Sequence, residues 1–162
     1  LYSVAGWSFT AVGSFMAAWV IGYGVVQGFA PLFIRRSADG RSSESRAALV
    51  WVLVLAGVTL AIAGALGSDI DPSLLLIAGL SLFGIVFAIN SSLHSYLILA
   101  FSRREDVATD VGFYYMANAA GRLGGTVLSG WAYQVAGIEG CLMVGAAMLV
   151  LASLFTWALP KS

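Results

Sequence analysis

Arg122 is the residue in this chain whose chemistry stands out most, because it lies inside a stretch of apolar sequence long enough to cross a bilayer, DVATDVGFYYMANAAGRLGGTVLSGWAYQ (106–134). A charge at the bilayer centre costs about 3 kcal/mol or more, so such a residue faces other helices or water and marks a solute pathway or an internal ion pair. Asp110, Tyr114, Asn118 and Arg122 recur at steps of four, which puts a polar stripe along one side of a helix. Ala117, Gly121, Gly125 and Ser129 form a second ladder of that period, a small-xxx-small pattern that lets membrane helices approach closely. One helix thus combines a packing seam with a charged stripe, as a helix lining a solute cavity would. Counted from the start of its span, Arg122 lies about 22 Å in, near the midplane.

Two roles are open to it. A guanidinium fork matches carboxylate or phosphate oxygens, which suits an anion site. A structural arginine bound to backbone carbonyls, or to an acid on another helix, is the alternative. Asp110 sits three turns away, too near the helix start to be its partner.

A second polar patch is NSSLHSY (90–96). Asn90 and His94 share a face, and so do Ser91 and Ser95. Asn90 falls at a depth comparable with Arg122, and His94 is about one turn nearer the adjacent loop. Interhelical hydrogen bonding accounts for the serines, at about 0.6 kcal/mol per contact in membranes. His94 is the one side chain here suited to relaying a proton, or it is a packing residue. The expected substrate-binding set is therefore Arg122, Asn118, Asn90, Tyr114 and His94. A loop containing Arg35, Arg36, Asp39 and Arg41 has an acid between arginines and is expected to lock helix ends as a cytoplasmic gate.

Catalytic and metal chemistry find little support. The sequence has no GxSxG, no paired intramembrane carboxylate, no His/Cys cluster and no phosphate-cradling glycine loop followed by Lys. His94 with Ser91 or Ser95 is the one conceivable nucleophile pair. No catalytic residue, metal site, cofactor or nucleic-acid partner is expected. Cys141, the single cysteine, reads as a small packing residue.

The elements that position these residues follow from composition. Of the 162 residues, 60% are hydrophobic and 10% charged, which describes an integral membrane protein. A span needs about 20 apolar residues. On that basis 12–34, 47–66, 72–101, 107–135 and 140–159 are expected to cross the bilayer. RRSADGRSSESR (35–46) reads as the one extended polar loop. Asp71 is expected to cap the third span, with Pro72 at its first position. Tyr2, Trp7, Trp51, Trp131 and Trp157 are expected as interface anchors.

Alternation of five spans places Arg35, Arg36, Arg41, Arg46, Arg103, Arg104 and Lys161 on one side. Asp69, Asp71 and Glu139 fall on the other. The positive-inside rule makes the arginine side and the C-terminus cytoplasmic, in a cell (inner) membrane. Because the chain opens at Leu1 within apolar sequence, further helices are expected upstream.

With this layout, the chain resembles the C-terminal half of a major facilitator superfamily transporter. WVIGYGVVQGFAP, NSSLHSYLILAF and VGFYYMANAAGRLGGTVLSGWAYQ resemble the organoarsenical efflux permeases, whose proposed substrate is 1-arseno-3-phosphoglycerate. RRSADGR falls where the superfamily has its cytoplasmic arginine/aspartate loop, in degenerate form. The resemblance implies an all-α fold, with five helices of a six-helix half-bundle and an N-terminal half as partner. It also implies alternating access around a midplane site. A small polyanionic solute would suit Arg122 with Asn118 and Asn90 nearby. Antiport would draw its protons from the other half, from His94 or from the substrate. The alternatives are a carrier of another cargo (drug, sugar or organic acid) and a non-transporting membrane subunit.

Overall fold

The computed structural model describes residues 2–33, 41–102 and 105–158. All their regular structure is helical: α1 (Tyr2–Ala5), α2 (Phe9–Phe33), α3 (Arg41–Ala65), α4 (Pro72–Phe101) and α5 (Val107–Trp157). Four of these, α2 to α5, are long and apolar enough to cross a membrane, which is compatible with a membrane-embedded protein.

Local chemistry sets the helix ends. The Asp71 carboxylate accepts a hydrogen bond from the Leu74 amide at 2.9 Å, and Pro72 opens α4, as the sequence predicts. At α2 the hydroxyl of Ser8 accepts from the Ala11 amide at 3.2 Å, so the helix begins at Phe9 rather than at residue 12. The expected polar loop 35–46 is shorter than anticipated, because α3 already starts at Arg41. Helix propagation adds a hydrogen bond for each residue fixed, so a stable apolar helix readily extends into polar sequence that contains no proline.

α2 and α4 run parallel. Trp7 Nε1 donates to Ser73 Oγ at 3.1 Å, Trp19 Nε1 to the Leu80 carbonyl at 2.7 Å, and Gln27 Nε2 to Ser91 Oγ at 3.3 Å. Both members of each pair advance together along the chain, so α3 runs back antiparallel to both, packed on α4 and α5 rather than on α2. The Trp19, Tyr23, Phe87 and Phe83 rings stack successively across the seam at 5.8, 5.6 and 5.8 Å. Gly84 makes room for this contact. A Cβ there would lie 2.8 Å from the Trp19 indole nitrogen. Trp7, expected as an interface anchor, is half-buried and also meets Phe15 edge-on at 6.0 Å.

α3 buries one stripe, with Ala48, Val52, Leu55, Ala56, Thr59 and Ile62 at intervals of three and four. Val50, Leu53, Val54 and Leu60 remain exposed, so this span is two-sided in packing although apolar all round. α4 buries Leu76, Val86, Asn90, Leu93 and Leu97. α3 and α4 meet closely near their turn, where a Cβ on Gly79 would strike the Ile62 side chain at 2.7 Å.

α5 spans 51 residues but has non-helical backbone at Ala136 (φ −138°, ψ 18°) and Gly137 (φ 62°, ψ −156°). The Cys141 thiol lies 3.2 Å from the Ser129 carbonyl oxygen. In a straight helix, residues twelve apart would be separated by about 18 Å. The chain therefore doubles back at Ala136–Gly137, giving a first arm (107–135) and a second arm (138–157).

Candidate functional site

The polar stripe of the first arm is the least covered part of the described structure. Gly112, Phe113 and every residue from Tyr115 to Val127 are exposed, and only Tyr114 between them is half-buried. Arg122 and Asn118 lie within this bare stretch. Among the described residues, no carboxylate pairs with Arg122. Its backbone carbonyl accepts a bond from the Thr126 hydroxyl at 2.8 Å. Tyr114 meets the ring of Tyr115 at 5.6 Å.

Asn90 and His94 are positioned differently. Asn90 is only 7% exposed, and its Oδ1 has no hydrogen-bond partner. On α4 it sits about 100° round from Ser91, the residue that meets α2. A buried amide oxygen without a partner costs about 1–3 kcal/mol. His94 Nδ1 lies 2.9 Å from the Asn90 backbone carbonyl. A carbonyl only accepts, so Nδ1 is the donor of this hydrogen bond.

The structure thus joins Asn90 to His94 within one turn, and joins neither to Arg122 by a hydrogen bond among the described residues. Depth provides the remaining relation. From the connection between α4 and α5, Asn90 and Asn118 each lie about 17 Å along their helices, and His94 and Tyr114 about 11 Å. Near that connection Ile98, Ser102, Asp110 and Phe113 line a cleft of about 230 Å³.

The gate residues Arg35, Arg36 and Asp39 lie outside the described residues. Arg41 opens α3, and its side chain lies outside them too.

Further up, α3, α4 and both arms of α5 line a half-open apolar groove of about 540 Å³. Ile62, Phe83, Phe87, Gly125, Cys141 and Met148 are in its wall. Its one hydroxyl, on Thr59, already donates to the Leu55 carbonyl at 2.9 Å. Such walls offer nothing to an anion, and none of the five expected binding residues lines them. Gln27 is a further polar contact that sequence reasoning passed over. A single glutamine inside an apolar span was the available signal. Among the described residues there is no cluster of three or more His, Cys, Asp or Glu side chains that would hold a metal.

The fold and site together define an all-helical protein compatible with a membrane. Compared with known proteins, the chain matches no family model, no curated protein and no solved structure.

Proposed function

We propose that this chain is part of a multi-pass membrane transporter, an efflux permease that moves an anionic organic metabolite by alternating access. Each arm of α5 crosses the membrane once, so five crossings make up part of a six-helix half-bundle of major facilitator type, with the C-terminus cytoplasmic. A phosphorylated organoarsenical such as 1-arseno-3-phosphoglycerate is the cargo best matched to the Arg122 fork. The single observation that carries this reading is an arginine at mid-depth on an uncovered helix, with no acid among the described residues to neutralise it.

Arg122 is the main cargo contact, with Asn118 and Tyr114 on its stripe. Asn90 and His94 face the same depth from α4. The Asn90 amide is closed off in this conformation, so cargo reaches it only where the surrounding helices part. Arginine, asparagine and tyrosine together supply the charge-assisted and neutral donors that a polyanion needs once stripped of water.

The test is arsenate resistance in cells that make the arsenylated metabolite and express the complete transporter. Arg122→Ala is expected to abolish resistance while membrane levels stay normal. Unchanged resistance at normal levels removes Arg122 from the cargo site.

A further inference from the structure

The last turns of α2 are written with residues that weaken a helix, and a slender contact ties them to α4. We propose that this end of α2 is a strap that swings away from α4 to uncover the polar patch 90–96, with the Gln27–Ser91 bond as its latch.

Gly24 and Gly28 stand four residues apart in α2, and a Cβ on either would meet nothing within 4 Å. Close packing therefore does not require glycine there, unlike Gly84 against Trp19. What glycine supplies instead is a softer helix, since it gives up more backbone freedom on folding than any other residue. Pro31 lies inside the same helix and has no amide hydrogen, so the Gln27 carbonyl lacks the donor expected four residues on. Glycine and proline are where helices bend sharply. Residues 24–31 are thus the soft section of α2.

The hold on α4 changes at the same place. Up to Tyr23 it is firm: Trp19 Nε1 bonds the Leu80 carbonyl at 2.7 Å, and the Trp19, Tyr23 and Phe87 rings stack. Beyond it, the bond from Gln27 Nε2 to Ser91 Oγ is long, at 3.3 Å. Val25 and Phe29 are exposed, and the buried Ala30 has only a methyl group to uncover. A side-chain bond between membrane helices is weak enough to break and re-form. Ser91 adjoins Asn90, so release of the latch opens α4 at the depth of the cargo site. The purpose of the strap rests on the transport reading; its motion does not.

The test uses the complete transporter in a background without other cysteines, Cys141→Ser included. In Gln27→Cys/Ser91→Cys, a short bifunctional methanethiosulfonate joins the strap to α4, and dithiothreitol releases it. Ala18→Cys/Ser81→Cys is the control, because both residues line the groove between α2 and α4 before the soft section. Joining 27 to 91 is expected to cut efflux of the arsenylated metabolite from loaded vesicles to about a tenth, reversibly. Joining 18 to 81 is expected to leave efflux unchanged. Efflux that persists with 27 and 91 joined overturns the proposal, as does failure of that pair to join or equal loss in the control.

A second measurement does not depend on cargo. N-ethylmaleimide is expected to react with Ser91→Cys about fivefold more slowly in Gly24→Ala/Gly28→Ala than with both glycines present. The same alanines are expected to raise the melting point, since they stiffen the helix without a clash. Equal rates overturn the strap, as does a lower melting point, which would mean that the glycines pack against another helix. A native protein that moves no metabolite while the two rates still differ overturns the transport reading alone.

Discussion

The thiol of Cys141 donates to the backbone carbonyl of Ser129 at 3.2 Å, across the point where α5 turns back on itself. Gly140 packs into the same junction, where an added Cβ would lie 3.1 Å from the Ala132 carbonyl oxygen. Small residues on facing arms let the backbones touch, and the contact fixes where the first arm ends and the second begins. That arm carries Arg122, so the hairpin sets the position of the one charge in the middle of a long helix.

Gly137 makes the reversal possible. Its φ of 62° with ψ of −156° is a conformation reserved almost wholly for glycine. Gly137→Ala is expected to cost about 1–3 kcal/mol. Gly112→Ala is the control, being helical with nothing near an added Cβ, and is expected to be neutral or slightly stabilising. Thermal unfolding of both variants in detergent checks this. Equal melting points would mean that the hairpin does not depend on glycine.

Gly84 and Trp19 are expected to behave as one unit. Gly84→Val places methyl groups where the indole stands, at a cost of about 1–3 kcal/mol from overpacking. Trp19→Phe loses the bond to the Leu80 carbonyl, about 0.5–1.5 kcal/mol. In the double variant the smaller ring relieves the clash, so the two costs should sum to more than the measured loss. A double-mutant cycle on unfolding free energies reads this coupling directly. Strict additivity would show that the two residues do not meet.

Asn90 offers a prediction of opposite sign. Its amide oxygen is buried without a partner, so Asn90→Leu should raise stability by about 1–3 kcal/mol. The His94 bond is made to the backbone carbonyl of residue 90 and survives the change. If Asn90 serves cargo in a more open conformation, the same variant exports less while melting higher. A lower melting point would mean that the amide is satisfied by a group not yet assigned.

How far the sequence predicted these features varied with the kind of signal involved. Asp71 and Pro72 are a cap written in two adjacent residues, and α4 begins where they place it. The polar sequence points to a loop through residue 46, whereas α3 starts at Arg41, because helix formation through residues 41–46 depends on the apolar helix that follows. Ser8 is a cap type that starts α2 at Phe9, ahead of the apolar run that begins at residue 12. The five expected binding residues were chosen by period and depth, which fix the face and level of a side chain on its own helix. They cannot say which faces meet, and that is why the orphaned amide of Asn90 and the bare surface around Arg122 emerged only from the packing. The apolar groove was equally hidden, since its walls come from four separate stretches of chain.

The sharpest division between a cargo-binding and a structural Arg122 comes from a conservative replacement. Lysine keeps the positive charge and much of the length of arginine, but presents one compact ammonium instead of a planar fork. If Arg122 only balances a carboxylate from another helix or binds carbonyl oxygens, Arg122→Lys should retain transport wherever the protein folds. If it grips two oxygens of a phosphate, losing the second bond should cost about 1.5–3 kcal/mol, or roughly 10- to 150-fold in affinity. The measurement is efflux of the arsenylated metabolite from loaded vesicles as cargo concentration is varied, with Arg122→Ala as the null. A raised half-saturation concentration in the lysine variant, at unchanged membrane level, supports direct contact with the cargo. Wild-type saturation behaviour would assign the guanidinium to the scaffold.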